Sequence, residues 1–306
     1  MNLNRRELLK IGLCAGASVF LPSGGLLAQA DPLIRKKIPS TGETIPIIGV
    51  GTARRYEQIH TEAEKAPLRD TLRQFKESGG TVIDSSPTYG TAEAVVGELV
   101  DELKIRDSLF LATKVSTSGQ QAGIDQIQQS FKRLRTAKID LIAVHNLRDT
   151  KTQLQALREL KQAGRIRYIG ITTSFENQYP EFAQTIKAET LDFIQVDYAL
   201  DNRNADQRIL PLAADRGTAA MINLPFGRGR LFNAVQGKKL PEWAAEFDCK
   251  TWAQFFLKYI VSHPAVTCAV PGMAKAEYVV DNLGAARGRL PDSAMRQRME
   301  QFIDGL

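Results

Sequence analysis

The chain alternates short apolar runs with longer amphipathic stretches through most of its length. Each apolar run has five to seven residues and is rich in β-branched side chains, as expected for a strand buried on both faces. The runs lie at 47–51, 81–85, 109–115, 140–145, 166–172, 192–198, 218–224 and 265–270. Between them, stretches such as 124–135 and 152–163 repeat their apolar residues with a helical period. Eight strand-then-helix units in about 250 residues predict a single α/β domain, a (β/α)8 barrel, rather than an open doubly wound sheet.

A further segment precedes the first of these strands. Residues 34–48, "IRKKIPSTGETIPII", place a Ser-Thr-Gly turn between two short extended pieces, which predicts a β-hairpin. We expect this hairpin to close the floor of the barrel. The following "GVGTAR" at 49–54 lacks the third glycine of the dinucleotide-binding fingerprint, and no helical pattern comes directly after it.

The first thirty residues resemble an export signal. Arg5 and Arg6 form a twin arginine, a weakly apolar stretch follows, and Ala28-Gln29-Ala30 is a small-residue cleavage site. A twin arginine indicates the bacterial twin-arginine pathway. The alternative, a membrane anchor, is disfavoured because glycines and a proline interrupt the stretch, which is short for a span of ~20 apolar residues. We expect residues 1–30 to be a twin-arginine signal peptide, and the mature domain, 31–306, to be periplasmic without stable membrane insertion.

Composition argues against two classes of function. The net charge of +6 falls to +4 without the first thirty residues, and no basic run with interleaved aromatics stands out, so no nucleic-acid partner is expected. The three cysteines, Cys14, Cys249 and Cys268, form neither a CxxC motif nor a Cys/His cluster. No metal site is therefore expected.

Four chemically active side chains fall where predicted strands end. Asp84 ends the second barrel strand, Tyr89 lies in the loop after it, Lys114 is near the end of the third strand, and His145 ends the fourth. Catalytic groups of such barrels lie at the carboxyl ends of strands and in the following loops. Taken singly, Asp84 and Lys114 could form a structural ion pair, and His145 could be a core histidine. Their occurrence together favours catalysis.

These four groups can act together on a carbonyl. An ammonium beside a phenol favours the phenolate, so we expect the pKa of Tyr89 to lie below its usual value near 10. Asp84 would keep Lys114 charged and in place, and an imidazole can orient a carbonyl oxygen or relay a proton. Such a site protonates a carbonyl oxygen while hydride reaches its carbon. Because no amino acid donates hydride, a nicotinamide cofactor is implied.

From residue 33 to the end, the chain resembles the aldo-keto reductase family. The family's Asp, Tyr, Lys and His tetrad matches Asp84, Tyr89, Lys114 and His145 in order and strand, and "GGTVIDSSPTYGTAE" at 79–93 resembles its signature around the tyrosine. The resemblance implies a (β/α)8 barrel closed by an N-terminal hairpin. It also implies reduction of an aldehyde or ketone by a nicotinamide cofactor, with Tyr89 as the proton donor.

The same resemblance implies how the nicotinamide end of the cofactor is held. Thr172 and Gln195 would bind the carboxamide, with Thr172-Thr173 replacing the family's usual Ser-Asn pair. Asn223 stands where the family commonly has an aromatic residue that stacks on the nicotinamide.

The phosphate and adenine ends are implied in the same way. The pyrophosphate would meet the backbone of "PFGRG" at 225–229, which includes Pro225, Phe226 and Arg228. The loop after the last strand, "PGMAKAEYVVDN", contains Gly272 and Lys275 for the phosphate and Glu277 and Asn282 for the adenine. Amides at a helix N-terminus together with Lys275 suit a phosphate, so NADP is expected, with NAD as the alternative.

Two classes of function stay open. The leading one is an exported oxidoreductase acting on a small carbonyl substrate. The other is an exported non-catalytic or regulatory barrel that binds a nicotinamide nucleotide or small ligand. The complete tetrad favours the enzyme, whereas Asn223 and a compartment without an obvious NADPH supply favour the alternative. The candidate pocket residues fit a polar or anionic substrate; they are Arg54, Arg55, Tyr56, Asn146 and Trp252.

Overall fold

Eight parallel strands follow one another around one sheet in the computed structural model, which describes residues 31–306. The strands are β3 (Val50–Gly51), β4 (Val82–Asp84), β5 (Phe110–Val115), β6 (Ile139–His145), β7 (Ile166–Thr172), β8 (Phe193–Asp197), β9 (Ala219–Asn223) and β10 (Val266–Ala269). Their order in the sheet is their order along the chain. Each lies within a predicted run or extends one residue beyond it, so the eight predicted strands are confirmed. The features predicted at 1–30 lie outside the described residues.

The sheet closes between its first and last strands. Gly49 donates its N–H to the carbonyl oxygen of Ala269, and Gly51 donates to that of Pro271, both at 2.9 Å. A Cβ added to Gly51 would lie 2.5 Å from the carbonyl oxygen of Val270, so this approach requires glycine. The predicted (β/α)8 barrel is therefore confirmed.

Helices follow the strands and cover the outside of the barrel. They are α1 (Glu62–Glu77), α2 (Ala92–Glu102), α3 (Gln120–Arg133), α4 (Thr150–Gln162), α5 (Tyr179–Ala188), α6 (Ile209–Asp215), α7 (Arg230–Ala234), α8 (Trp252–Val261), α9 (Ala276–Gly284) and α10 (Ser293–Asp304). The helices predicted at 124–135 and 152–163 are confirmed as α3 and α4. Within residues 31–306, no helix combines the length and apolar character needed to cross a membrane.

The predicted hairpin is formed by β1 (Arg35–Lys37) and β2 (Thr44–Pro46), which pair antiparallel. Gly42 in its turn has a φ of +76°, which glycine adopts without strain. The Lys36 ammonium donates to three carbonyl oxygens at 2.6–2.9 Å, those of Val261, His263 and Val266. These carbonyls lie at the end of α8 and the start of β10, at the amino ends of the strands. The hairpin therefore covers the barrel floor, as predicted.

Apolar side chains fill the part of the barrel interior above this hairpin. Ile38 and Ile45 of the hairpin pack there with the aromatic rings of three strands. The rings of Phe110, Tyr168 and Phe193 lie 5.6–5.8 Å apart. Apolar groups thus fill the interior near the hairpin, whereas polar side chains lie at the opposite, carboxyl ends of the strands.

Candidate active site

A buried ion pair joins the second and third barrel strands. Asp84 is the last residue of β4 and pairs in register with Ala112 of β5, so Lys114, two residues further on, lies on the same face. The Lys114 ammonium donates to the two carboxylate oxygens of Asp84 at 2.8 and 2.9 Å and to the carbonyl oxygen of Ser85 at 2.7 Å. Burial is the largest single effect and lowers the pKa of Lys114, but the charge of Asp84, its hydrogen bonds and the nearby Tyr89 together outweigh burial, so the pKa is raised. Lys114 is therefore a permanent cation.

Tyr89 lies on the loop after β4, beside this pair. Its ring centroid is 5.4 Å from the Lys114 Nζ, and its ring lies edge-on to that of His145, with centroids 6.0 Å apart. Burial raises the pKa of Tyr89 and outweighs the opposing charge of Lys114. The expected lowering of this pKa is thus wrong in its net direction, because the sequence reasoning counted the ammonium and not the desolvation. The phenol stays protonated at neutral pH, as a proton donor must.

The loop that carries Tyr89 is tied to the loop after β3. Thr91 donates its N–H to the carbonyl oxygen of Glu57 at 3.0 Å and its hydroxyl to that of Tyr56 at 2.7 Å. Ile59 in turn donates its N–H to the Thr91 hydroxyl oxygen at 3.0 Å. Three hydrogen bonds through one threonine therefore hold the phenol in a defined place.

His145 ends β6 and faces Tyr89 across the barrel mouth. Its Nδ1 lies 3.2 Å from the hydroxyl oxygen of Ser86. Burial, assisted by the positive charge of Lys114, lowers the pKa of His145 to about 3. The imidazole is therefore neutral at physiological pH and acts as a hydrogen-bonding group rather than a general acid.

These groups adjoin a cavity of about 630 Å³ at the carboxyl ends of the strands. Asp84, Tyr89 and His145 line it, with Lys114 behind them. The predicted site residues that also line it are Arg54, Arg55, Asn146, Thr172, Gln195, Asn223, Pro225, Phe226, Arg228 and Gly272. Glu57, Ser174 and Phe232 line the cavity as well, although they were not predicted from the sequence. No sequence signal marked Phe232, because its place follows from packing between segments: its ring lies 4.9 Å from that of Phe226 and 5.5 Å from that of Phe256. In residues 31–306, no group of three or more His, Cys, Asp or Glu side chains could hold a metal ion.

Two predicted pocket residues do not line this cavity. Tyr56 is fully buried, and its ring belongs to the main hydrophobic core. Trp252 begins α8, where its indole N–H donates to the carbonyl oxygen of Lys238 at 3.1 Å. Its ring stacks on Phe256 with centroids 5.8 Å apart. Both expectations were wrong because the aromatic character of a residue does not reveal which surface its ring packs against.

Polar side chains at the ends of β7, β8 and β9 form one wall of the cavity. Thr172 donates its hydroxyl to the Gln195 Oε1 at 3.0 Å. Asn223 donates its amide to the carbonyl oxygen of Thr173 at 3.4 Å, and its Oδ1 is buried without a hydrogen-bond partner in the described part of the chain. A buried acceptor without a partner is costly unless a ligand supplies the donor. The wall therefore fits a group that carries a carboxamide.

The loop after β9 has an unusual backbone. Leu224, Gly227, Arg228 and Gly229 all have positive φ, between 51° and 96°. Successive amides in such conformations can form a concave anion-binding surface. Within residues 31–306, no carboxylate lies within ion-pair distance of Arg228, whose side chain is exposed. Arg228 therefore gives this loop an exposed positive charge that an anion could meet.

The residues predicted for the far end of the cofactor lie beyond the cavity. Lys275 precedes the first residue of α9, and its Nζ lies 3.6 Å from the Glu277 carboxylate and 5.6 Å from the ring centroid of Tyr278. Both charged side chains are exposed, whereas Asn282 is buried in the same helix. Lys275 and Glu277 are accessible to a ligand along the surface, and Asn282 contributes to packing of α9.

A barrel of this topology with a half-buried phenol, a paired ammonium and a neutral imidazole at its mouth defines a (β/α)8-barrel oxidoreductase. The chain belongs to the Aldo/keto reductase family, whose sequence profile matches residues 47–302.

Individual relatives agree with this assignment. The aldo-keto reductase YhdN of Bacillus subtilis (strain 168) is 29% identical over 226 residues, which cover 69% of this chain and 66% of that protein. The methylglyoxal reductase YeaE of Escherichia coli (strain K12) is 29% identical over 257 residues, covering 81% of this chain and 88% of that protein.

Solved structures show the same fold. An aldo/keto reductase from Klebsiella pneumoniae in complex with NADP and acetate matches with a TM-score of 0.73 and 26% identity, over 86% of this chain and 93% of that one. An aldo-keto reductase from Klebsiella pneumoniae in complex with NADPH matches with a TM-score of 0.74 and 25% identity, over 90% of this chain and 96% of that one.

Proposed function

We propose that this protein is an NADP(H)-dependent aldo-keto reductase that reduces an aldehyde or a ketone. The observation that carries the proposal is the phenol of Tyr89 at the cavity, with the Lys114 ammonium 5.4 Å from its ring and Asp84 holding that ammonium. The family assignment and the relatives solved with NADP or NADPH support the choice of cofactor.

Each polar group at the cavity has a distinct task. Tyr89 passes its phenolic proton to the carbonyl oxygen of the substrate, and the ammonium of Lys114 stabilises the phenolate that remains. Asp84 keeps that ammonium charged and in place. His145, being neutral, hydrogen-bonds the same carbonyl oxygen and orients it. The cofactor, when bound, supplies the hydride to the carbonyl carbon.

Residues that follow successive strands, from β7 to β10, would contact successive parts of NADP(H), from the nicotinamide to the adenine. Thr172, Gln195 and Asn223 would hold the carboxamide, where the unpartnered Asn223 Oδ1 can accept an amide hydrogen. The loop after β9 would contact the pyrophosphate through its backbone and through Pro225, Phe226 and Arg228. Beyond it, Gly272 and Lys275 would bind phosphate, and Glu277 would lie toward the adenine. The exposed ammonium of Lys275 supports NADP over NAD, which is the alternative.

A Tyr89→Phe variant tests the chemistry. Because general acid–base catalysis contributes ~100- to 10,000-fold, the variant should lose activity by that factor while its Kd for NADPH stays within about twofold. Calorimetric titration of NADPH and initial rates on a panel of small aldehydes measure the two effects. Tyr168→Phe, at the barrel floor, is the matched control and should retain its activity. Near-wild-type turnover by Tyr89→Phe would exclude this tyrosine as the proton donor.

The competing candidate is a barrel that binds nicotinamide nucleotide without turnover. It is favoured by one observation, the amide of Asn223 at the position where the family commonly stacks an aromatic ring. The same experiment separates the two candidates, because a non-catalytic barrel would bind NADPH and reduce none of the aldehydes. The intact set of Asp84, Tyr89, Lys114 and His145 around one cavity favours the enzyme.

We further propose that the protein is exported by the twin-arginine machinery and works in the periplasm. The twin arginine and the Ala-Gln-Ala site at 28–30 support this route. The pathway carries folded proteins, so the barrel would load its nucleotide in the cytoplasm and retain it. Replacing Arg5 and Arg6 together by lysine should leave active precursor in the cytoplasm. Nucleotide analysis of the periplasmic protein tests the loading, and an empty protein of weak affinity would contradict it.

A further inference from the structure

The hydroxyl of Ser86 lies at the centre of a small hydrogen-bonded cluster beside the catalytic groups. Ser86 follows Asp84 by two residues, and its side chain is 1% exposed. Its Oγ lies 3.2 Å from the His145 Nδ1 and 2.9 Å from the Thr88 Oγ1, and it accepts the Thr88 N–H at 3.3 Å. One hydroxyl has a single proton and two lone pairs. These three partners use all of them, so the cluster admits no further partner.

The orientation of this hydroxyl determines what His145 presents to the cavity. The neutral ring carries its proton on only one nitrogen, and the partner of one nitrogen selects the state of the other. A carbonyl or carboxylate at Nδ1 would hold the proton there, because such groups only accept. A hydroxyl can instead donate to Nδ1, which leaves the proton on Nε2. In the described part of the chain, the His145 Nε2 has no hydrogen-bond partner, and the residue lines the cavity.

We propose that Ser86 is a positioning residue that sets the tautomer of His145, by donating its hydroxyl proton to Nδ1 so that Nε2–H faces the cavity. A carbonyl oxygen offers only lone pairs to its surroundings, so a lone pair on Nε2 would repel it and an N–H would bind it. Thr88 completes the arrangement, since its backbone N–H and its hydroxyl then both donate to the Ser86 Oγ. The inference rests on the proposed function in one respect only, namely that the atom facing Nε2 is the carbonyl oxygen of the substrate.

Nitrogen NMR of the ligand-free protein tests the tautomer directly. The chain has three histidines, His60, His145 and His263, so ¹⁵N-histidine labelling and a His145→Gln variant suffice for assignment. In the wild type we expect an unprotonated Nδ1 and a protonated Nε2 for His145. Ser86→Ala should give a mixture of tautomers, and Ser86→Thr, which keeps a hydroxyl, should restore the wild-type signals.

Thr88→Val is the matched control for this measurement. It removes the outer hydroxyl, yet Ser86 can still donate to Nδ1, so the tautomer should not change. If Ser86 instead donated to Thr88, this variant would disturb His145. A wild-type spectrum with the proton on Nδ1, or a Ser86→Ala spectrum identical to the wild type, would overturn the proposal.

Kinetics give a second readout that a merely structural role would not produce. Ser86→Ala should lower kcat/KM for an aldehyde about five- to tenfold, the effect of one hydrogen bond, with an unchanged Kd for NADPH. Ser86→Thr should recover most of this loss, and thermal unfolding checks that each variant folds. An unchanged kcat/KM in Ser86→Ala would also contradict the proposal. A wild type that reduces no carbonyl compound would refute the proposed function, and the NMR result would still decide the tautomer.

Discussion

Two lysines, one at each end of the barrel, are bonded to partners of different charge; Lys114 is buried and Lys36 is half-buried. At the mouth, Lys114 donates to both carboxylate oxygens of Asp84, and its pKa is raised. At the floor, Lys36 donates to three neutral carbonyl oxygens, and burial, with the nearby charge of Arg296, lowers its pKa to about 8. A carboxylate offsets the cost of desolvating an ammonium, whereas carbonyl dipoles do so only in part. The mouth therefore keeps a permanent charge for chemistry, and the floor uses its lysine to anchor the hairpin.

The largest expected effect is at the mouth. Lys114→Met should lower kcat/KM by at least about 100-fold, because the pKa of Tyr89 rises further and its phenolate loses the ammonium. The basic limb of the pH–rate profile should move to higher pH. Asp84→Asn keeps the ammonium and should have a milder effect. An unchanged pH–rate profile in Lys114→Met would exclude this lysine from the mechanism. It would also contradict the assignment of a catalytic role to Lys114 and a structural role to Lys36.

The floor should respond in stability rather than in activity. Lys36→Met removes three hydrogen bonds that tie β1 to the end of α8 and to β10. We expect a loss of about 1–3 kcal/mol in the free energy of unfolding, measured by urea denaturation, with kcat/KM within about twofold of the wild type. A strong loss of activity without loss of stability would show that the floor and the mouth are coupled.

The two lysines should also differ in how stability depends on pH. The folded-state pKa of Lys36 is about 8, below its unfolded value of 10.5, so between these pH values the unfolded chain binds more protons. The contribution of Lys36 to the free energy of unfolding therefore rises with pH through this window. Lys114, with a raised pKa, contributes no slope there. The difference in stability between wild type and Lys36→Met should increase from pH 8 to 10.5, and a decrease would contradict the assignment.

The smallest effect concerns Lys275, an exposed cation that lies beyond the cavity. Its Nζ lies 3.6 Å from the Glu277 carboxylate, and its side chain is 60% exposed, so solvent and this neighbour weaken its field. Lys275→Ala should weaken binding of NADP by about tenfold and leave that of NAD nearly unchanged. Lys187→Ala, at an exposed lysine of α5, is the control and should not weaken NADP. Equal losses for both nucleotides would exclude a contact of Lys275 with the 2′-phosphate.

The sequence alone predicts the arrangement of the barrel. It also predicts that the four reactive side chains lie at the ends of strands or in the loop that follows. Strand-like runs, helical periodicity and the Ser-Thr-Gly turn are local patterns, and they predicted the eight strands, the hairpin, and the strand ends at Asp84 and His145. The carboxyl ends of parallel strands meet at one rim, so residues at those ends are brought together by topology alone. This is why a distant set such as Asp84, Tyr89, Lys114 and His145 could be predicted.

Tertiary structure decided what depends on depth and on contacts between distant segments. The pKa of Tyr89 rises because the effect of burial is larger than that of the Lys114 charge. No local sequence pattern predicts how deeply a side chain is buried. Tyr56 and Trp252 pack into the body of the protein although their residue types suit a pocket. Ser86 meets His145 across 59 residues of sequence, and Lys36 reaches carbonyls more than 200 residues away. A residue's type and spacing determine the element it belongs to, but its neighbours in space are set only when remote elements pack together.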